Sequence, residues 1–150
     1  MRFEHTIRVA APRDRTWALF MDVPAVARCV PGAEQVTASG PDRYRGSVKV
    51  GVGPIRLRLE GEVTLTQKEE EAGHATMRLD ASDRAVGGSV RAELRVQLVE
   101  VENATEIRLV TEATLAGRIG DLGQPLIKRQ ADRIAAEFAK CLERTLGAGS

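Results

Sequence analysis

The order of hydrophobic periods along the chain predicts an α+β domain: a curved antiparallel sheet of six to seven strands wrapped around one long C-terminal helix, with two short helices after the first strand. Three observations carry this. Apolar residues alternate at period two from about residue 36 to residue 116, as in Val90, Ala92, Leu94, Val96 and Leu98 with Arg91, Glu93, Arg95 and Gln97 between them. They fall three and four apart from residue 119 to 146, the spacing of one face of a helix. Two short helical stretches, the first from Pro12 and the second in VPAVARCV, stand between the first strand and all the rest.

In order, Phe3, His5, Ile7 and Val9 share one face of a first strand that ends at the Ala-Ala-Pro of residues 10–12. Pro12 suits a first helical turn, so a helix is expected through Trp17, Leu19 and Phe20 to about Asp22. A second short helix in VPAVARCV closes at Pro31 and Gly32. Strands are expected from residue 36 onward and over 44–52, 55–65, 75–81, 90–98 and 107–115, each with one buried and one wet face. The last helix then runs from Ile119 to about Leu146 through Leu122, Leu126, Ile127, Ala131, Ile134, Phe138 and Leu142. One helix must cover the apolar face of the whole sheet, and a sheet that curls around it, a helix-grip architecture, does so.

The chain has 150 residues, enough for one domain with a core and too few for a second, so residues 1–150 are expected to form a single unit. Its 22 basic and 21 acidic residues nearly cancel, and five scattered aromatics, Phe3, Trp17, Phe20, Tyr44 and Phe138, make no stacking platform. Nucleic acid is therefore set aside as a partner. The N-terminal MRFEHTIRV alternates and lacks a signal-peptide core, and no apolar run approaches the roughly 20 residues of a membrane span, which points to the cytoplasm. Cys29 and Cys141, far apart in apolar surroundings, are expected to be buried free thiols.

The turns divide chemically. Successive turns of an antiparallel meander alternate between the two ends of the sheet. PGAE at 31–34, GVGP at 51–54, DRAVGGS at 83–89 and AGRIGDLG at 116–123 form one set; SGPD at 39–42, KEEEAGH at 68–74 and VENA at 101–104 form the other. The second is solvated hairpin material, with His74 beside Glu69, Glu70 and Glu71. The first is small and slightly apolar, and a phosphate cradle is excluded at GVGP because strand spacing, not a helix, follows Pro54. A pocket mouth is expected there, built from Pro31, Gly32, Gly51, Gly53, Pro54, Gly87, Gly88, Gly117, Gly120 and Gly123. Small inward residues (Ala75, Ala81, Ala92, Ala113) leave room under a single covering helix. Alternation and position nominate Phe20, Leu57, Met77, Leu79, Leu94, Val96, Leu109, Leu122, Leu126 and Ile127 as ligand-binding residues.

RCVPGAEQV, VKVGVGPIRL, DRAVGGSV and AGRIGDLG follow one another in the order and at about the separations of the CoxG family of carbon monoxide dehydrogenase, and APRDRTWALFMD is similar to the stretch that family carries after its first strand. The chain thus resembles, over nearly its whole length, a branch of the START-like (SRPBCC, Bet v 1-like) helix-grip superfamily. The resemblance implies a non-catalytic accessory of a molybdenum hydroxylase of the carbon monoxide dehydrogenase type. It further implies recruitment of that enzyme to the cytoplasmic membrane, and a lipid or other apolar molecule held between sheet and helix. A quinone such as menaquinone would join these properties by linking the enzyme to the membrane quinone pool; beyond that ligand no cofactor is expected. This sequence departs from the pattern at its end, LGAGS, where longer members continue into a polar linker and membrane-associating tail. It departs again at His5, where relatives usually carry glycine. If inward, His5 either narrows the cavity, offers a hydrogen bond to a bound carbonyl, or is a satisfied core histidine.

Two other classes stay open. A START-like cyclase or hydrolase would need His5, Tyr44 or Asp83 to meet inside one cavity; a ligand-free adaptor would have a filled core. No residues fall at triad or metal-ligand spacing, and Cys29 has only Arg28 beside it to activate a thiolate. On the long helix, Arg129, Arg133, Lys140 and Arg144 form one stripe. It reads either as a solvated face paired with Asp132, Glu137 and Glu143, or as a contact for anionic lipid headgroups or an acidic partner enzyme.

Overall fold

In a computed structural model that describes residues 1–147, the chain runs β1 (Arg2–Val9), α1 (Arg13–Met21), α2 (Val23–Ala27), β2 (Ala33–Gly40), β3 (Arg43–Val52), β4 (Ile55–Glu69), β5 (His74–Asp83), β6 (Gly88–Val101), β7 (Ala104–Gly117), a 3₁₀ turn (Gly120–Leu122) and α3 (Gln124–Thr145). The strands form one seven-stranded antiparallel sheet ordered β1-β7-β6-β5-β4-β3-β2, so the six-to-seven expectation resolves to seven. Only β1, which pairs with β7, sits beside a strand distant in sequence.

The register puts the alternating apolar residues on one face. Leu57 faces Val50, Val63 faces Leu79, Met77 faces Leu94, and Val96 faces Leu109, which in turn faces His5. That shared face is concave and carries α3. Small residues form one row across the strands: Gly46 pairs with Gly61, which pairs with Ala81. A Cβ on Gly46 would lie 2.7 Å from Val36 Cγ2, and one on Gly61 would overlap the Asp80 carbonyl oxygen. Strand glycines at such a row mark where a sheet bends and backbones close in.

The helices start where local chemistry allows. Thr16 Oγ1 donates to the Pro12 carbonyl at 3.0 Å in the first turn of α1. Asp22 ends that helix with its N–H and caps the next, its carboxylate accepting from Ala25 N at 3.3 Å. The long helix begins later than the hydrophobic spacing predicts. Gly123, at φ +87°, breaks the helical path, so residues 120–122 make a separate 3₁₀ turn and α3 starts at Gln124 with Pro125 in its first turn. Several strands are longer than predicted, in part because the turns at 41–42 and 102–103 take only two residues. His74 is not in a turn: it is the first residue of β5, half-buried and paired with Gln97.

Two packed clusters result. The larger joins Trp17, Phe20, Val23 and Val26 of the short helices to Met77, Val96, Leu98, Ile107 and Leu109 of the sheet and to Leu142 and Leu146 at the end of α3. The smaller joins Val52, Leu57 and Ile119, with Leu115, Leu122 and Leu126 packed against them.

Cys29 and Cys141 are not free thiols. They form a disulfide, with Cα atoms 5.2 Å apart, that ties the segment after α2 to the last third of α3. A sequence separation of 112 conceals an adjacency that arises only when α3 folds back along the sheet.

Candidate functional site

Between the two clusters the concave face carries a band of half-buried residues. Leu79, Ala81, Ala92, Leu94, Thr111 and Ala113 form its middle band, and all are half-buried, while Met77, Val96 and Leu109 just beyond are buried. Above this band the residues that α3 turns toward the sheet, Leu126, Ile127, Ile134 and Phe138, are also only half-buried; within α3 full burial is reached at Leu142. Alanines at 81, 92 and 113 keep the side chains of this band small.

The nominated ligand-binding residues divide accordingly. Phe20, Met77, Val96 and Leu109 lie in the larger cluster, Phe20 edge-on to Phe138 with ring centroids 6.2 Å apart. Leu57 belongs to the smaller cluster, with Leu122 and Leu126 packed on it. Leu79 and Leu94 belong to the half-buried band, and Ile127 is half-buried on α3.

The glycine-rich turns do gather at one end, but several meet one another closely. A Cβ on Gly53 would lie 3.1 Å from Leu126 Cδ2, one on Gly88 2.6 Å from Ile119 Cγ1, and one on Gly117 2.5 Å from the Gly87 carbonyl oxygen. Gly120 backs onto the Leu115 carbonyl at 2.9 Å by the same measure. Gly51, Gly87 and Gly123 face open space. The opening lies to the side of these tips. A groove of about 740 Å³ runs between α3 and β3, walled by Pro31, Gly32, Val50, Gly51, Gly53, Pro54, Leu126 and Ile134 and edged by Lys49, Arg56, Arg129, Arg133 and Glu137. Its size is within the range of small-molecule sites. α3 leans toward β1 rather than β3, which leaves this seam.

Lys49 and Arg56 were not singled out from the sequence. They are the polar alternants on either side of the VGVGPI hairpin, and a charge at both flanks of an apolar tip was the available signal. The α3 stripe divides in space: Arg129 and Arg133 edge the groove, whereas Lys140 and Arg144 border a depression with Arg8 and Ala10. Asp132 does not pair with the helix's own cations. Its Oδ1 lies 2.9 Å from His5 Nε2 on β1, so the inward histidine has a carboxylate partner from the covering helix.

Asp83, Tyr44 and His5 sit in separate surroundings. Asp83, 5% exposed, accepts at Oδ2 from Arg58 N (2.7 Å) and at Oδ1 from Ala85 N (2.8 Å) and Val86 N (2.9 Å). The amide hydrogen bonds of Val86 and Arg58 hold its carboxyl below the usual range, against the opposing effect of burial. It anchors the β5–β6 turn where β4 and β5 part. Tyr44 pairs with Ala38 and Val63 on the flank of the sheet away from β1. Among the described residues no hydrogen bond joins any two of His5, Tyr44 and Asp83, no set of three His, Cys, Asp or Glu could hold a metal ion, and no helix is long and apolar enough to cross a membrane.

The geometry has solved counterparts. A conserved protein from Geobacillus kaustophilus superposes with a TM-score of 0.87 at 17% identity, over 97% of this chain and 94% of that one. A START superfamily protein from Mycobacterium smegmatis gives 0.71 at 14% identity over 99% of both. The Zhui aromatase/cyclase from Streptomyces sp. R1128 gives 0.67 at 18%, over 100% of this chain and 98% of that one. These likenesses establish a START-like fold. A search of curated proteins finds no match. The sequence profile of the carbon monoxide dehydrogenase CoxG subunit matches residues 6–147, taking in every element from within β1 to the end of α3, and the chain belongs to the CoxG family of carbon monoxide dehydrogenase.

Proposed function

We propose that this protein is a non-catalytic accessory of a molybdenum hydroxylase of the carbon monoxide dehydrogenase type. In this reading it holds a hydrophobic small molecule, a quinone such as menaquinone, between the sheet and α3, and so links the enzyme to the membrane quinone pool. The observation that carries the ligand is the half-buried middle band, Leu79, Ala81, Ala92, Leu94 and Ala113, under a helix that is itself only half-buried along its first four turns. Apolar surface left reachable inside a domain is recovered when an apolar ligand covers it, at about 25 cal/mol per Å². Family membership supports the partner enzyme, and the engagement of Asp83 and His5 elsewhere favours binding over catalysis.

Native mass spectrometry of freshly purified protein, followed by extraction, tests this. A stoichiometric quinone or other isoprenoid is the expected result. With added menaquinone at about 100 times its Kd, stability should rise by about 2.7 kcal/mol, equivalent to a Tm increase of about 5–10 °C. A bare mass with no Tm response to menaquinone or ubiquinone would overturn the ligand and leave a ligand-free adaptor.

A further inference from the structure

We propose that the groove between α3 and the β3–β4 hairpin is a binding site for the acidic headgroup of an anionic phospholipid, the face by which this protein sits on a membrane. The proposal rests on the functional reading above for its membrane, but not for its quinone. Four cations, Lys49, Arg56, Arg129 and Arg133, edge the groove, and the one acid among its lining residues is Glu137. Lys49 Nζ lies 3.6 Å from Glu34, while among the described residues Arg56, Arg129 and Arg133 form no ion pair. Even with Glu34 counted in, the groove holds an excess of two positive charges, whereas the whole chain has a net charge of only +1. The excess is local and selects an anion.

The walls choose among anions. Val50, Pro54, Leu126 and Ile134 line the same groove as the four cations, so it offers apolar surface as well as charge. A phospholipid offers both kinds of partner in one molecule, a phosphate for the fork of an arginine and acyl chain for the walls. An acidic protein surface would meet the cations and leave the walls bare, and a nucleic acid would find no aromatic side chain there to stack on. Cations close to an anionic leaflet each add to attraction within a Debye length. Seating the groove on a bilayer would also bring the seam between α3 and β3 against the lipid, where an apolar ligand can pass without crossing water.

The test is co-sedimentation with vesicles of phosphatidylcholine alone or with added phosphatidylglycerol, at about 0.1 M salt. It compares wild type, R129E/R133E in the groove, and R43E/R78E, which changes net charge equally at exposed residues of the convex face. Wild type and R43E/R78E should bind the phosphatidylglycerol vesicles alike and ignore phosphatidylcholine, and R129E/R133E should bind at least about 20-fold more weakly. Thermal melts establish that each variant is folded. Failure of wild type to bind, equal losses in both variants, or release by millimolar inorganic phosphate as complete as by excess vesicles would each overturn the proposal. The last outcome would identify a free-phosphate site. Menaquinone-induced Tm shifts measured on the same proteins separate the two readings: vesicle binding as expected without any shift supports the groove and sinks the quinone.

Discussion

His5 and Asp132 meet at 2.9 Å across the cleft, joining the centre of β1 to the middle of α3, 127 residues away. The histidine side chain is 20% exposed and the aspartate 56%, so this is a half-wet pair whose attraction water largely screens. It bridges α3 to β1, the side of the sheet toward which the helix leans. Asp132→Ala should cost under about 1 kcal/mol and lower Tm by no more than about 3 °C. A loss beyond about 2 kcal/mol in chemical denaturation would mean that the pair holds the helix down.

The disulfide should matter more. Closing a loop of this length restricts the unfolded chain, and native bridges of this kind contribute on the order of 2–4 kcal/mol. Reduced protein, and the C29S/C141S variant, should unfold at a correspondingly lower denaturant midpoint, and thiol titration of the oxidised protein should find nothing reactive until it is reduced. Equal midpoints for oxidised and reduced protein would contradict this.

Asp83 ties acid stability to one turn. Its carboxyl is held low by amide donors, so its contribution is present above the unfolded value of about 3.9 and is lost as pH falls through the lower folded value. Asp83→Asn turns an amide NH₂ toward either Arg58 N or the pair Ala85 N and Val86 N. The variant should melt below wild type at pH 7, and the gap should narrow on acidification below about pH 4. A gap independent of pH would show that shape, not charge, is what the turn requires.

Filling the middle band separates fold from ligand. Ala92 lies between Leu79 and Ala113 on the concave face and is half-buried. Ala92→Leu should leave Tm within about 2 °C of wild type, or raise it, because it fills space instead of opening it. It should abolish the Tm shift on adding menaquinone. Retention of the full shift would place the ligand elsewhere.

Strands, helices and their faces were legible in the sequence because each depends on near neighbours. Period two at Val90 to Leu98 decides which side chains share a face whatever the strand pairs with, and spacing three and four through Phe138 and Leu142 does the same for α3. The chemical difference between the glycine-rich and polar turns was legible for the same reason. What required the tertiary structure is every relation set by how far the sheet curls and where α3 lies across it. The Cys29–Cys141 bridge, the capture of Asp132 by His5, and the assembly of Lys49 and Arg56 with Arg129 and Arg133 each join residues more than 70 positions apart. Such adjacency follows from how the sheet curls and from the lean of α3 toward β1, which no local spacing encodes.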